Sequence, residues 1–202
     1  PRFAYLCHLG GGVRDVVERQ AIVEGLLVTN WGNGLAYSVA EAALMMTLSC
    51  LRRTTRLQFD LHQRGLWPGE DEVRPECLSH RKVGLHGLGA IAQEFARLLE
   101  PFHCEVSAYS PHCPDEIFQR LRIRRVTDLK KLYAENDIIS VHAAKTPENY
   151  HIVNREILAA MKDGAVLVNT ARGSIIDTDA LVAELKTGRI YAALDVFEVE
   201  PL

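Results

Sequence analysis

Residues 82–99 read KVGLHGLGAIAQEFARLL, and the reading of this stretch decides the fold. A short apolar run (Val83, Leu85) enters a Gly-x-Gly turn at Gly87, Leu88 and Gly89. A helical pattern follows, with Ile91, Phe95, Leu98 and Leu99 on one face. Strand, tight glycine turn and helix together form the context that a dinucleotide-binding turn requires. Gly87 permits the sharp turn, Gly89 lets backbone approach a pyrophosphate, and the first helical turn at Ala90 and Ile91 offers unpaired N–H groups to an anion. The third position is Ala92, which close helix–strand packing tolerates. By itself a Gly-x-Gly describes any helix that starts after a glycine turn. The strand before it and the helix after it favour nucleotide binding.

Downstream of this turn, apolar runs and helical patterns alternate. Strands are predicted at 83–86, 105–109, 123–126, 137–142, 165–169 and 191–196, with helices at 90–100, 115–120, 127–133, 154–161 and 178–187. Such alternation predicts an α/β fold, a doubly wound parallel sheet with helices on both faces. In that architecture ligands bind beyond the carboxyl ends of the strands, where the strand order reverses. The candidate functional residues are therefore the Gly87–Gly89 turn, Ser110, the loop 142–149, residues 170–173 and residues 195–200.

Upstream, 3–9 (FAYLCHL) reads as a buried strand, followed by Gly10, Gly11 and Gly12, a helix over 15–22 and a second short strand at 25–29. The row of glycines is either a plain flexible turn or a set of exposed backbone N–H groups that can hold a carboxylate. The turn-rich 30–34 (NWGNG) marks a boundary, which divides the chain into 1–33 and 34–202. A single long helix is expected over 38–62, with Arg52 and Arg53 near its middle and an extensive apolar face. A Pro/Gly/acidic connection spans 65–77.

The composition is that of an ordinary globular chain: 202 residues, 48% hydrophobic and 24% charged. A net charge of −3 gives no electrostatic reason to expect nucleic acid or an anionic membrane as partner. The longest apolar stretch, near 39–51, is interrupted by Glu41, Thr47 and Ser49 and is too short to span a bilayer. Five cysteines (Cys7, Cys50, Cys77, Cys104, Cys113) lack Cys-x-x-Cys pairing, so no metal is expected and a reducing, cytoplasmic setting is.

Three stretches together resemble a known family. VNTARGSIID at 168–177 and ALDVFEVEPL at 193–202 resemble the two signature stretches of the D-isomer-specific 2-hydroxyacid dehydrogenases. HAAKTPENYHIVN at 142–154 looks like a third, and HGLGAIA at 86–92 carries the family's nucleotide turn. The resemblance implies a Rossmann-type NAD-binding domain over 34–202, with 1–33 a fragment of a second, flavodoxin-like substrate domain. It implies an oxidoreductase that moves a hydride between a nicotinamide cofactor and a D-2-hydroxy acid/2-keto acid pair. Arg172 matches the arginine that binds the substrate carboxylate and carbonyl oxygen, a role that suits a rigid guanidinium fork. Glu200, before Pro201, matches the glutamate that hydrogen-bonds the catalytic histidine and raises its pKa. Asp195 matches the aspartate on the nicotinamide carboxamide. His142, Ala143, Ala144, Asn149, Thr170, Ala171 and Arg172 itself match the lining of the cofactor site, and Gly11 and Gly12 the backbone that holds the substrate carboxylate.

Departures from the family pattern sharpen these expectations. Ser110 stands about 20 residues past the glycine turn, where an acid usually grips the ribose 2′-OH. Serine there removes the charge that would repel a 2′-phosphate, which leaves NADP open, but the next residues are Pro111 and His112 rather than an arginine, so NAD is expected; Arg122, Arg124 and Arg125 are either candidates to hold that phosphate or a solvated face. Ala144 replaces a frequent proline. The family's catalytic histidine lies beyond the Glu-x-Pro segment, and His8, His86 and His142 occupy no such motif. Residues 1–202 are thus expected to bind cofactor as a piece of a longer enzyme without completing turnover alone. Formate dehydrogenases of the superfamily are set apart because they do not use a glutamate at the Glu200 position. The resemblance also implies a homodimer through the helix predicted at 38–62. An NAD-sensing corepressor, with Arg52-Arg53-Thr54-Thr55 as its hint, remains the alternative function.

Overall fold

The computed structural model describes residues 3–10, 12–13, 16–67, 69 and 74–201. The upstream segment forms β1 (Tyr5–Cys7), α1 (Arg19–Val23) and β2 (Leu27–Thr29), and β1 pairs with β2 in a two-stranded parallel sheet. The expected buried strand at 3–9 is corrected here: β1 is shorter, its residues alternate between exposed and half-buried, and Phe3 and Leu9 face solvent. Two parallel strands cannot bury both faces of a sheet, so the apolar side chains of this segment stay accessible.

Two helices follow, α2 (Ala36–Leu51) and α3 (Thr54–Arg64), where a single helix over 38–62 was expected. The break falls at Arg53, whose φ of 54° and ψ of 33° place it in the left-handed region. Its side chain accounts for the break. The guanidinium donates to the Cys50 carbonyl at 2.9 Å, pairs with Glu76 at 3.0 Å and lies 3.3 Å from the centre of the Tyr191 ring. Three directed contacts on a nearly buried cation outweigh the roughly 1 kcal/mol that a non-glycine residue loses in this conformation.

From residue 82 onward β-strands alternate with helices: β3 (Lys82–His86), α4 (Ala90–Leu99), β4 (Glu105–Tyr109), α5 (Asp115–Leu121), β5 (Arg124–Arg125), α6 (Leu129–Glu135), β6 (Ile138–Val141), α7 (Arg155–Ala159), β7 (Val166–Asn169), α8 (Thr178–Lys186) and β8 (Tyr191–Leu194). The predicted elements are all found, with ends displaced by up to two residues; the helix expected at 127–133 lies at 129–135, and the strand expected at 123–126 keeps only two paired residues. Caps fix several helix starts. The side chains of Asp128, Asn154 and Asp177 accept backbone N–H groups of α6, α7 and α8 respectively. All pairings are parallel and the strand order is β5-β4-β3-β6-β7-β8, so the order reverses between β3 and β6.

Both faces of this sheet are covered, which is why β6 and β7 are apolar at every position but one polar residue each (Ser140, Asn169) and fully buried. Val83, Leu85, Ile138, Val166 and Val168 pack with α2, α4 and α5 on one side. Ile139, Val141 and Leu167 pack with α6, α7 and α8 on the other. Ala40 and Ala43 of α2 and Ala92 of α4 have no exposed surface, so small side chains let these two helices lie close together. At the amino end of the sheet Asp137 accepts from the Lys82 N–H at 3.0 Å and the Lys162 ammonium at 2.8 Å. Burial opposes its charge, but these donors hold its carboxyl below the usual range.

One polar pair sits inside the core. His86 Nδ1 lies 3.1 Å from the Tyr133 hydroxyl, both side chains are buried, and the ring meets Tyr109 and Tyr133 edge-on. Burial lowers the His86 pKa from 6.5 to about 4. Below pH 6.5 the unfolded chain therefore binds a proton that the folded chain refuses. This contribution to stability is complete above pH 6.5 and declines as the pH falls towards 4, by up to about 3 kcal/mol. Urea unfolding between pH 7.5 and 4.5 should show this decline, and His86→Gln should make it shallower while the share contributed by the buried His142 ring remains; equal slopes in both proteins would contradict the assignment. Arg53→Ala should lower the unfolding free energy by about 2 kcal/mol, read from the urea midpoint, because it strips the end of α2 of its ion pair and ring contact.

Candidate functional site

The site is built where β3 ends. Gly87 turns the chain out of the sheet with a φ of +99°, and its N–H donates to the Tyr109 carbonyl at 2.8 Å. A Cβ at this position would lie 2.9 Å from backbone atoms of His142 and Ala143, at the end of β6. Two requirements, a positive φ and close approach, exclude any other residue. Leu88 is buried and its carbonyl accepts from the Gln93 side chain. Gly89 is the N-cap of α4 in extended conformation, and a Cβ there would meet nothing within 4 Å. Ala90 and Ile91 form the first helical turn and are half-buried. An exposed helix start with open space above its amides fits a pyrophosphate.

The remaining predicted residues lie at the same edge of the sheet. Ser110 follows β4 and its carbonyl receives the Cys113 N–H at 3.2 Å. Two of the three basic residues beyond it are engaged: Arg124 pairs with Glu135 at 2.9 Å, and Arg125 pairs with Asp115 at 2.8 Å and lies over the Phe118 ring. His142, Ala143, Ala144 and Asn149 form the loop after β6, which the Asn149 side chain closes by donating to the Ala144 carbonyl at 2.8 Å. His142 Nε2 is 2.8 Å from the Ser140 hydroxyl, and burial, helped by His86 nearby, lowers its pKa to about 3. Its imidazole is neutral at any physiological pH.

Past β7 the Asn169 side chain accepts the Ala171 N–H at 3.0 Å and donates to the Arg172 carbonyl at 3.0 Å, which shapes the turn that presents Arg172. The Arg172 side chain is exposed, with one nitrogen 2.7 Å from the Ala171 carbonyl. Between them sits Thr170, whose buried hydroxyl has no hydrogen-bond partner, a condition shared among the described residues only by Arg125 Nε. A buried hydroxyl left unpaired costs about 1–3 kcal/mol, so a bound polar group that reached it would be favoured.

Two further pieces converge. A Cβ on Gly12 would lie 3.4 Å from Arg172 Nη2, so Gly12 lies beside the arginine; Gly11 lies outside the described residues. After β8, Asp195 is exposed and its N–H donates to the Asn169 carbonyl at 3.0 Å. Glu200 accepts the Phe197 N–H at 2.7 Å. Glu198, two residues before Glu200, has different partners. Glu198 accepts from His151 at 2.6 Å, from Thr178 at 2.9 Å and from Tyr150 at 3.2 Å, whereas Glu200 holds only local backbone. Hydrogen bonds from Thr178 and His151 keep the Glu198 carboxyl below its ordinary range.

These partners of Glu198, and the contact of Gly173 with Phe197, were missed in the sequence. A Cβ on Gly173 would fall 1.9 Å from the Phe197 carbonyl carbon. The Arg-Gly pair at 172–173 was the available signal, since a glycine directly after a functional side chain often marks close backbone approach.

Comparison with known proteins agrees with this geometry. The chain is 40% identical over 197 residues to a hydroxypyruvate reductase of Thermotoga maritima, covering 97% of this chain and 62% of that protein. It is 35% identical to a D-3-phosphoglycerate dehydrogenase of Methanocaldococcus jannaschii, covering 95% of this chain and 36% of that protein. The chain thus spans less than two thirds of the curated relatives it matches. Among solved structures, a D-lactate dehydrogenase of Aquifex aeolicus complexed with NAD and lactic acid superposes with a TM-score of 0.84 at 30% identity, covering 98% of this chain and 59% of that one. A Granulicella formate dehydrogenase superposes with a TM-score of 0.87 at 29% identity, covering 98% and 53%. The sequence profile of the D-isomer specific 2-hydroxyacid dehydrogenase NAD binding domain matches residues 44–202, and the chain belongs to that family.

Proposed function

We propose that the chain is the cofactor-binding part of an oxidoreductase that transfers a hydride between NAD and a D-2-hydroxy acid/2-keto acid pair. The observation that carries this reading is the meeting of Arg172 with the Gly12 backbone beside the cofactor edge of the sheet. A guanidinium fork facing a glycine turn suits a small carboxylate with an adjacent carbonyl. In this reading residues 1–33 belong to the substrate domain and 34–202 to the cofactor domain. The amides of the Gly87–Ile91 turn hold the pyrophosphate, Ser110 the ribose, and the 142–149 loop, Thr170, Ala171 and Asp195 the nicotinamide half.

When bound, NAD supplies the hydride chemistry, and the chain's own residues supply position and charge. Arg172 orients the substrate carboxylate and stabilises the charge that develops on the carbonyl oxygen. Glu200 holds a histidine that the family resemblance places after residue 202, and that pair moves the proton. The neutral His142 and the core-bound His86 have no part in proton transfer. The engagement of Arg124 and Arg125 by carboxylates supports NAD over NADP. The relatives named above are reductases and dehydrogenases, which supports the enzymatic reading over a corepressor.

Titration with NADH and with NADPH tests the cofactor assignment: NADH should bind tighter. In the full-length protein Arg172→Ala should lower kcat/KM for hydroxypyruvate or glyoxylate by about a thousandfold while leaving NADH affinity within about threefold. Unchanged kcat/KM would overturn the assignment.

We also infer a homodimer through α2 and α3. Tyr37, Met45, Phe59 and Leu61 are exposed there, and a groove of about 390 Å³ is lined by Leu44, Met45 and Leu48 with Glu41 and Arg52 at its rim. An apolar face of this extent on two consecutive helices fits a second copy of the same helices. Among the described residues no helix is long and apolar enough to cross a membrane, and the five thiols are unpaired, which supports a reducing compartment such as the cytoplasm. Light scattering should give twice the single-chain mass, and Met45→Glu should halve it; a monomeric wild type would sink the dimer.

A further inference from the structure

We propose that Glu198 and His151 form a positioning clamp that fixes the 195–200 segment, and through it Glu200, against the cofactor side of the sheet. The proposal rests on the dehydrogenase reading for its kinetic consequence, while the clamp itself stands on contacts in this chain. Glu198 is the centre. Its carboxylate takes His151 Nε2 at 2.6 Å and Tyr150 at 3.2 Å from the loop after β6, and Thr178 at 2.9 Å from the first turn of α8. Three elements that are far apart in sequence therefore meet on one side chain.

His151 is itself held in place. Its ring stacks on Tyr150 with centroids 4.0 Å apart, its backbone has a φ of +51°, and its N–H donates to the Ser174 carbonyl at 2.9 Å. Ser174 adjoins Gly173, whose backbone presses on Phe197 and Glu198. Phe197 in turn donates its N–H to Glu200. An unbroken series of contacts thus runs from the loop that lines the cofactor edge, through His151 and Glu198, to the backbone that orients Glu200.

This arrangement explains why two glutamates stand two residues apart. One is engaged by three side chains and immobilises the segment; the other accepts the Phe197 N–H through one oxygen, and its second oxygen has no partner among the described residues. Glu198 touches neither substrate nor cofactor in this scheme and acts only through Glu200. The stacked Tyr150 is exposed and contributes mainly orientation, so most of the effect rests on the His151 donor.

The test separates donor from bulk. His151→Phe keeps the stack on Tyr150 and loses the donor, whereas His151→Gln keeps an N–H donor; Glu198→Gln keeps the shape and loses the charge. In the full-length protein, hydrogen exchange at the Phe197 amide and steady-state kinetics with NADH and hydroxypyruvate are measured for each. His151→Phe and Glu198→Gln should speed exchange at Phe197 at least about fivefold and lower kcat about tenfold, with KM and NADH affinity within about twofold, and His151→Gln should restore both. Unchanged exchange in both Glu198→Gln and His151→Phe overturns the clamp, as does equal loss in His151→Gln and His151→Phe. Faster exchange with unchanged kcat overturns the positioning role. A wild type that oxidises NADH with no 2-keto acid overturns the dehydrogenase reading, and the exchange data then decide the clamp by themselves.

Discussion

The contact between Gly87 and the end of β6 is the constraint on which the rest of the structure depends. At the reversal of strand order the chain must leave β3, pass directly over the His142–Ala143 backbone and begin a helix within three residues. Any side chain at Gly87 would push β3 and β6 apart at the edge where both deliver functional residues. The start of α4 and the 142–149 loop are therefore placed relative to each other by backbone contact, with no side chain between them. Such contact is stiff, because protein interiors are packed to crystal-like density and backbone cannot change rotamer.

The same device recurs farther along the edge. Gly173 brings the turn after Arg172 onto the backbone of Phe197, so the ends of β7 and β8 are coupled as tightly as those of β3 and β6. Side chains then complete what backbone begins. Asn169 shapes the Arg172 turn from both sides, and Asn149 closes the loop after β6. The side chains proposed to meet ligand, Arg172, Asp195 and Glu200, are exposed. Rigidity sits in the supports and chemical freedom in the groups that meet ligand.

Much of this was legible in the sequence. The strand–turn–helix pattern at 82–99 and the alternation after it lead to the observed sheet, because periodicity reports burial and burial decides these elements. Local chemistry was less visible where a side chain overrode periodicity. The helical spacing across 38–62 gave no sign that Arg53 would break the helix, since its partners Glu76 and Tyr191 are distant in sequence. The exposure of β1 was hidden for the opposite reason: an apolar strand reads as buried whether or not its neighbours are present. The candidate residues fell on one edge as anticipated, since the rule about carboxyl ends needs only the strand positions. What no pattern disclosed was the work of Glu198, because its partners come from two separate elements, the loop after β6 and the start of α8.

The Asp137 carboxylate, which joins the Lys82 N–H to the Lys162 ammonium, lies at the opposite end of the sheet from all of this. It staples the entry points of β3, β6 and β7 at the floor of the domain, away from every ligand-facing group. Each central strand is thus anchored at one end and put to use at the other. The chain can vary the loops at the carboxyl edge of the sheet without loosening the foundation that keeps the strands in register.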